Sequence, residues 1–167
     1  MTKKWECQFE DLDAVATDAD SLYFLFGLIS FLKPKVVVEA GTWKGHFSLT
    51  LVQIMPSITI YTADPIRFMK DSGPLQYYQG DFVDMLELYK LDSIDFAYID
   101  SGPPCTSDWD NGVRWRHYQA VIPRMAPGGL IVSHDMNNRD WEGADKIHEL
   151  ADIYLPAGRG LTIQQVV

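Results

Sequence analysis

From residue 35 onward, short apolar runs alternate with longer stretches in which apolar residues recur at helical spacing. Residues 36–40 form a continuous β-branched and apolar run, the pattern of a central parallel strand covered on both faces. Further strands are expected at 58–63, 75–78, 94–99 and 130–133. Helices are expected from the glycine turn at 41–45 to about Met55-Pro56, from Asp81 to about Tyr89, over 113–125 and over 141–151. Upstream, Asp18, Asp20 and Ser21 are helix-starting residues, and a helix over 20–33 is stopped by Pro34. Its apolar residues run nearly all round, which predicts burial on several sides or packing against a partner. The chain ends as a hairpin: 153–155, a turn at 156–160, and a last strand over 161–167.

Strand–helix alternation of this kind implies a doubly wound, Rossmann-like α/β fold with helices on both faces. The sheet is expected to be mostly parallel and seven-stranded, closed by the antiparallel C-terminal hairpin. One domain over 1–167 is expected, with an N-terminal arm and cap helix at 1–34 and the core at 35–167. Ligands of such sheets bind at the carboxyl ends of the strands, beside the switch point in strand order. An acidic residue closes or follows each of the five parallel strands: Glu39, Asp64, Asp81, Asp100 and Asp135.

Charge sharpens that picture. The 167 residues carry 14 Lys+Arg against 23 Asp+Glu, a net charge of −9, which argues against a phosphate-backbone partner such as nucleic acid. Six acids lie between Glu6 and Asp20 and eight between Asp81 and Asp110, where the one basic residue is Lys90. The first reading of such clusters is solvated surface. The sharper reading is a site for a metal or a cationic cofactor. Cys7 and Cys105 stand apart with no paired-Cys motif, which favours a reducing, cytoplasmic setting. The most apolar run, 22–32, is far shorter than the ~18 residues of a membrane span, so no membrane association is expected.

Glu39-Ala40-Gly41-Thr42-Trp43-Lys44-Gly45 follows a strand and opens a helix. Glycines there allow a sharp turn and close approach of a ligand, and the helix start offers free N–H groups. Its spacing departs from the G-x-G-x-x-G of dinucleotide binders. Asp64 stands about twenty residues further on, where a carboxylate can accept both hydroxyls of a ribose, or merely form a turn before Pro65. Gly80-Asp81-Phe82 could set a carboxylate on an adenine amino group and a ring against the base. Helix capping by Asp81 explains it equally well.

Together these segments resemble the class I S-adenosylmethionine-dependent methyltransferases. The resemblance is carried by VVVEAGTWKG at 36–45, YTADP at 61–65, Gly80-Asp81, FAYID at 96–100 and APGGLIVSHD at 126–135. Within the family it is closest to small-molecule O-methyltransferases. It implies a cofactor loop of Glu39, Gly41, Thr42, Trp43 and Gly45 around the methionine part. Asp64 would hold the ribose, Gly80, Asp81 and Phe82 the adenine, and Asp100 would lie below the sulfonium and amino group. Metal-dependent catechol-type relatives carry Asp-Asn at the end of the fifth strand, where this chain has His134-Asp135. Asp100, His134 and Asp135 could still ligate a divalent ion such as magnesium, although an imidazole makes the set less purely oxygen-based than that ion prefers.

Methyl transfer is an in-line displacement at an activated methyl, so the protein must mainly align the acceptor and remove its proton. A histidine oriented by Asp135 or Asp100 suits the proton step, which leaves His134 open as base, metal ligand or structurally satisfied strand-end residue. The segment 101–116, with Trp109, Asp110, Asn111, Trp115 and Arg116, is expected over the site, and Met136-Asn137-Asn138 with Trp141 beside it. Core packing is the favoured role of Trp115. The expected activity is therefore methyl transfer to an oxygen, or second to a nitrogen, of a small molecule. With no inserted substrate domain, the pocket is expected to be open or completed by a second subunit in a homo-oligomer. The alternatives are a non-catalytic S-adenosylmethionine- or nucleotide-binding module, and an NAD-dependent oxidoreductase.

Overall fold

The computed structural model describes residues 17–66, 73–102 and 112–167. Seven strands form one sheet in the order β3-β2-β1-β4-β5-β7-β6. They are β1 (Val36–Ala40), β2 (Thr59–Asp64), β3 (Leu75–Gln79), β4 (Ile94–Ile99), β5 (Met125–His134), β6 (Ile153–Leu155) and β7 (Leu161–Gln165). β1 to β5 pair in parallel, β7 runs antiparallel to β5, and β6 is antiparallel to β7. The doubly wound order reverses between β1 and β4, which places the switch point there, as expected for this architecture.

Among the described residues five α-helices cover the sheet: α1 (Ala19–Leu32), α2 (His46–Ile54), α3 (Phe82–Leu88), α4 (Val113–Val121) and α5 (Ala144–Leu150). Alternation along the strands sorts the core into two layers. Val37, Ile60, Phe96, Tyr98 and Val132 pack with Leu25 and Ile29 of α1 and Phe47 and Leu51 of α2. Val38, Ala63, Ile94, Ala97 and Ile99 pack on the other face with α3, α4 and α5.

Two expectations are corrected. The helix at 20–33 is not buried on several sides: α1 buries one stripe, Ser21, Leu25 and Ile29, while Tyr23 and Phe31 are 76% and 83% exposed. A helix laid flat on one face of a sheet hides only the residues at i, i+4 and i+8. The helix expected to reach Met125 ends at Val121. Pro123 converts its continuation into a 3-10 turn, Ile122–Arg124, and extended backbone begins at Met125 rather than at residue 130. Pairing with β4 steps from Ile94↔Met125 to Phe96↔Leu130, so residues 126–129 are accommodated as an irregularity in the ladder. Cys7, Cys105, Trp109, Asp110 and Asn111 lie outside the described residues. No helix among the described residues is long and apolar enough to cross a membrane.

Candidate active site

The glycine loop sits at the carboxyl end of β1 and is shaped by steric need. Gly41 adopts φ +92°, and a Cβ there would lie 2.5 Å from the Asp100 carbonyl oxygen. The ends of β1 and β4 therefore approach each other as only glycine permits. Gly41 N–H donates to Ala63 O (2.9 Å) and Asp100 N–H to Ala40 O (2.9 Å), which ties the ends of three strands together. Gly45, at φ +77°, turns the chain into α2.

Glu39 does not face solvent. Its carboxyl accepts from the Ser48 and Thr62 hydroxyls and anchors the loop to α2 and β2. Burial pushes it up to about 8 against those two hydrogen bonds, and Asp100 and Asp64 add to the rise. Thr42 is buried against the Thr62 hydroxyl. Asp64 accepts from Trp43 N–H (2.9 Å) and Ile66 N–H (2.9 Å), so it orders the glycine loop and its own turn at once. Burial raises its pKa, with the backbone N–H groups opposing.

At the β3 edge, both sequence readings of Asp81 meet a definite geometry. It caps α3 by accepting from Val83 N–H (2.9 Å), and it pairs with Arg116 and His117 of α4. The His117 hydrogen bond is the largest influence on it; with Arg116 and Val83 it outweighs burial and holds Asp81 well below the usual carboxylate range. Gly80 N–H donates to Asp64 O (3.0 Å). Phe82 is buried in the core with its ring against His117 (5.2 Å between centroids), so its ring presents no open face as a stacking platform. His117 continues inward, its Nδ1 lying 2.9 Å from Ser101 Oγ.

The ends of β4 and β5 carry the densest charge. His134 is fully buried, with Nδ1 at 3.0 Å from Asp100 Oδ1 and Nε2 at 3.0 Å from Asp18 Oδ2. Burial alone would depress it, but Asp100, Asp135 and Asp18 outweigh burial and raise it to about 9. Asp100 is pushed up by burial and held down at about 2 chiefly by His134, with Arg114 and a 2.6 Å hydrogen bond from Thr17 Oγ1 contributing. Of the three roles left open by the sequence, His134 therefore has the geometry of the satisfied histidine. Each ring nitrogen lies at hydrogen-bond distance from a carboxylate, so neither faces an open site.

The metal question turns on the same atoms. Asp100, His134 and Asp135 do come together, with donor atoms within 4.8 Å of one another. The surrounding charges do not suit a divalent ion. Asp135 lies 2.7 Å from Arg159 Nε and 3.3 Å from Arg114 Nη2, and Arg114 is itself buried, donating to Ser101 O (2.8 Å) and to His134 O. Three cations (His134, Arg114, Arg159) already match three carboxylates (Asp18, Asp100, Asp135). A dication would have to displace His134 from Asp100 and sit among guanidinium groups.

A cavity of about 630 Å³ opens beside this cluster, with Ser101, Asp135, Asn138, Trp141 and Arg159 in its wall. Asp135 holds φ +60°, an uncommon conformation for a non-glycine residue, which turns its carboxylate toward the guanidinium groups at the cavity wall. Trp115, as expected, packs against the core, stacked on Tyr118, while Arg116 turns outward to Asp81. Sequence reasoning missed Thr17, Arg114, His117 and Arg159 as members of the site. It read Asp18 only as a helix start, and no local motif marks any of them because their partners lie 13 to 141 residues away.

No protein-family model and no curated protein sequence matches the chain. Solved structures do. A methyltransferase from Geobacter sulfurreducens superposes with a TM-score of 0.71 at 17% identity, covering 92% of this chain and 81% of that one. The chain has the methyltransferase fold. An S-adenosylhomocysteine-bound methyltransferase from Podospora anserina gives 0.69 at 14% identity, over 95% and 82% of the two chains. An O-methyltransferase from Bacillus cereus in complex with S-adenosylhomocysteine gives 0.68 at 16%, over 93% and 84%.

Proposed function

We propose that the protein is an S-adenosylmethionine-dependent methyltransferase that acts on an oxygen of a small molecule, without a metal ion. The observation that carries this reading is the convergence at the switch point. The glycine loop, Asp64 and Asp100 stand together at the carboxyl ends of β1, β2 and β4, and a cavity large enough for a small acceptor opens directly beyond Asp100 at Ser101 and Asp135. The cofactor's methionine part would lie over Gly41–Gly45, its ribose at Asp64, and its cationic sulfonium near Asp100. The bound S-adenosylhomocysteine of the Bacillus cereus and Podospora anserina structures supports that assignment by likeness of fold.

In the transfer, the acceptor oxygen attacks the methyl carbon as the carbon–sulfur bond breaks, and neutral S-adenosylhomocysteine leaves. Alignment is the protein's main contribution. Where the acceptor is a hydroxyl, its proton passes to Asp135, the carboxylate in the cavity wall, rather than to His134, whose nitrogens are both engaged. His134 instead fixes Asp100 and, through Asp18, the start of α1.

Titration calorimetry with S-adenosylhomocysteine and with NAD tests the reading. Binding of the first and not the second is expected, and the reverse result sinks it. Methyl transfer from radiolabelled S-adenosylmethionine to a panel of small acceptors should proceed equally with and without EDTA. Loss of turnover on chelation, restored by magnesium, would refute the metal-free assignment. S-adenosylhomocysteine binding without any transfer would favour the non-catalytic module.

A further inference from the structure

We propose that the outward face of α1 docks a second copy of this chain, the two α1 helices crossing antiparallel about a two-fold axis at Gly27. The residues concerned lie outside the cavity wall and the glycine loop, so the dimer stands or falls separately from the methyltransferase reading. α1 turns Ser21, Leu25 and Ile29 to the sheet. Helical spacing then centres the opposite face on Gly27, with Tyr23 one turn before it, Phe31 one turn after it and Phe24 alongside, all of them exposed.

Gly27 itself calls for an explanation. Glycine is a poorer helix former than alanine, and inside a helix it is normally kept for close packing. Among the described residues a Cβ at Gly27 would meet nothing within 4 Å, so the chain's own fold does not require its absence. A second helix laid across the gap between Tyr23 and Phe31 does require it, because the residues at a crossing set how closely two helices approach.

Charge selects the occupant and its direction. Asp20 stands seven residues before Gly27 and Lys33 six residues after it, and both are exposed. An antiparallel copy sets each Asp20 beside Lys33 of the other copy and each Phe31 beside the other Tyr23, the self-complementarity that a closed two-fold contact needs. A parallel crossing would set Asp20 against Asp20. A lipid surface fits poorly: α1 has an acidic first turn and no basic residue in its last turn, and the chain carries −9. With a buried aromatic side chain worth roughly 150–250 Å², this face offers on the order of 500 Å² per copy, short of the ~800 Å² of a standard interface. The dimer is therefore weak, with dissociation in the micromolar range.

Sedimentation velocity of the full chain at low salt, from about 1 to about 200 µM, tests the contact. The mass should rise from monomer toward dimer across that range. Gly27→Leu and Phe31→Ser should each weaken association about tenfold, with unchanged circular dichroism because neither side chain is buried in the monomer. Asp20→Lys or Lys33→Asp alone should weaken it several-fold, and the two together should restore it. A monomer at every concentration, or a dimer that survives both Gly27→Leu and Phe31→Ser, would overturn the proposal. Charge reversals that do not rescue each other would overturn the antiparallel arrangement. Flotation with phosphatidylcholine vesicles in place of self-association would assign the face to lipid and also overturn it.

Discussion

A carboxyl group buried under the cofactor loop makes Glu39 the residue whose ionisation bears most directly on the fold. Its folded pKa, about 8, lies above the ordinary 4.5. For a carboxylate shifted upward, stability is full below 4.5 and is lost as pH rises toward 8, because the unfolded chain releases a proton that the folded chain must keep. Glu39→Gln keeps an oxygen for the Ser48 and Thr62 hydroxyls and removes the titration. The variant should match the parent near pH 4.5 and exceed it by ~2–4 kcal/mol near pH 8. Urea unfolding across that range measures the gap, and a gap that does not change with pH would disprove the assignment. Gly41 is the opposite case, where an addition does the damage. Gly41→Ala forces a side chain into φ +92° and against the Asp100 carbonyl at 2.5 Å, and should cost ~2 kcal/mol or more in the same measurement.

At the level of elements, α1 is coupled to the strand ends by one residue. Asp18 caps the helix through Ser21 N–H (3.0 Å) and also receives His134 Nε2, and the β6–β7 turn closes over it at Gly158, where a Cβ would lie 2.5 Å from its carboxylate. Burial raises Asp18, but Ser21, His134 and Arg159 outweigh it and hold it at about 2. Both titrations favour the folded state over a defined window. The His134 contribution, with a folded pKa of about 9 against 6.5, is complete below 6.5 and lost as pH rises through 9; the Asp18 contribution is complete above 3.8 and lost as pH falls through 2. Asp18→Ala should therefore cost ~1 kcal/mol from the cap alone, more with the ion pair, and should flatten the decline in stability between pH 7 and 9. An unchanged decline would show that Asp100 alone holds the imidazolium. This coupling was not legible in the sequence. The hydrophobic alternation placed every strand, because a β-branched run such as that at 36–40 has one physical outcome, whereas the exposed faces of α1 could not be told from buried ones by composition. The glycine loop, Asp64 and the strand-end acids were legible because each belongs to a local turn; Arg114 and Arg159 were not, because an ion pair across the sheet leaves no local pattern.

Across the whole molecule, the net charge of −9 acquires a direction once the strand ends are placed. Asp18, Asp100 and Asp135 are matched internally by His134, Arg114 and Arg159, so the negative field at the edge of the sheet comes from the remaining acids, among them Glu39 when ionised and Asp64. That field distinguishes two ligands that differ by one methyl group. S-adenosylmethionine carries a sulfonium that S-adenosylhomocysteine lacks, so only the former is drawn in by net charge. Screening shortens from about 30 Å at 0.01 M salt to about 3 Å at 1 M, which removes the contribution of distant acids and leaves the contacts within the site. Affinity for S-adenosylmethionine should therefore fall several-fold across that salt range, while affinity for S-adenosylhomocysteine stays nearly constant. Calorimetry of both ligands in the same salt series checks it. Parallel changes would mean that the acids are merely solvated surface and that the site recognises its cofactor by shape and hydrogen bonds alone.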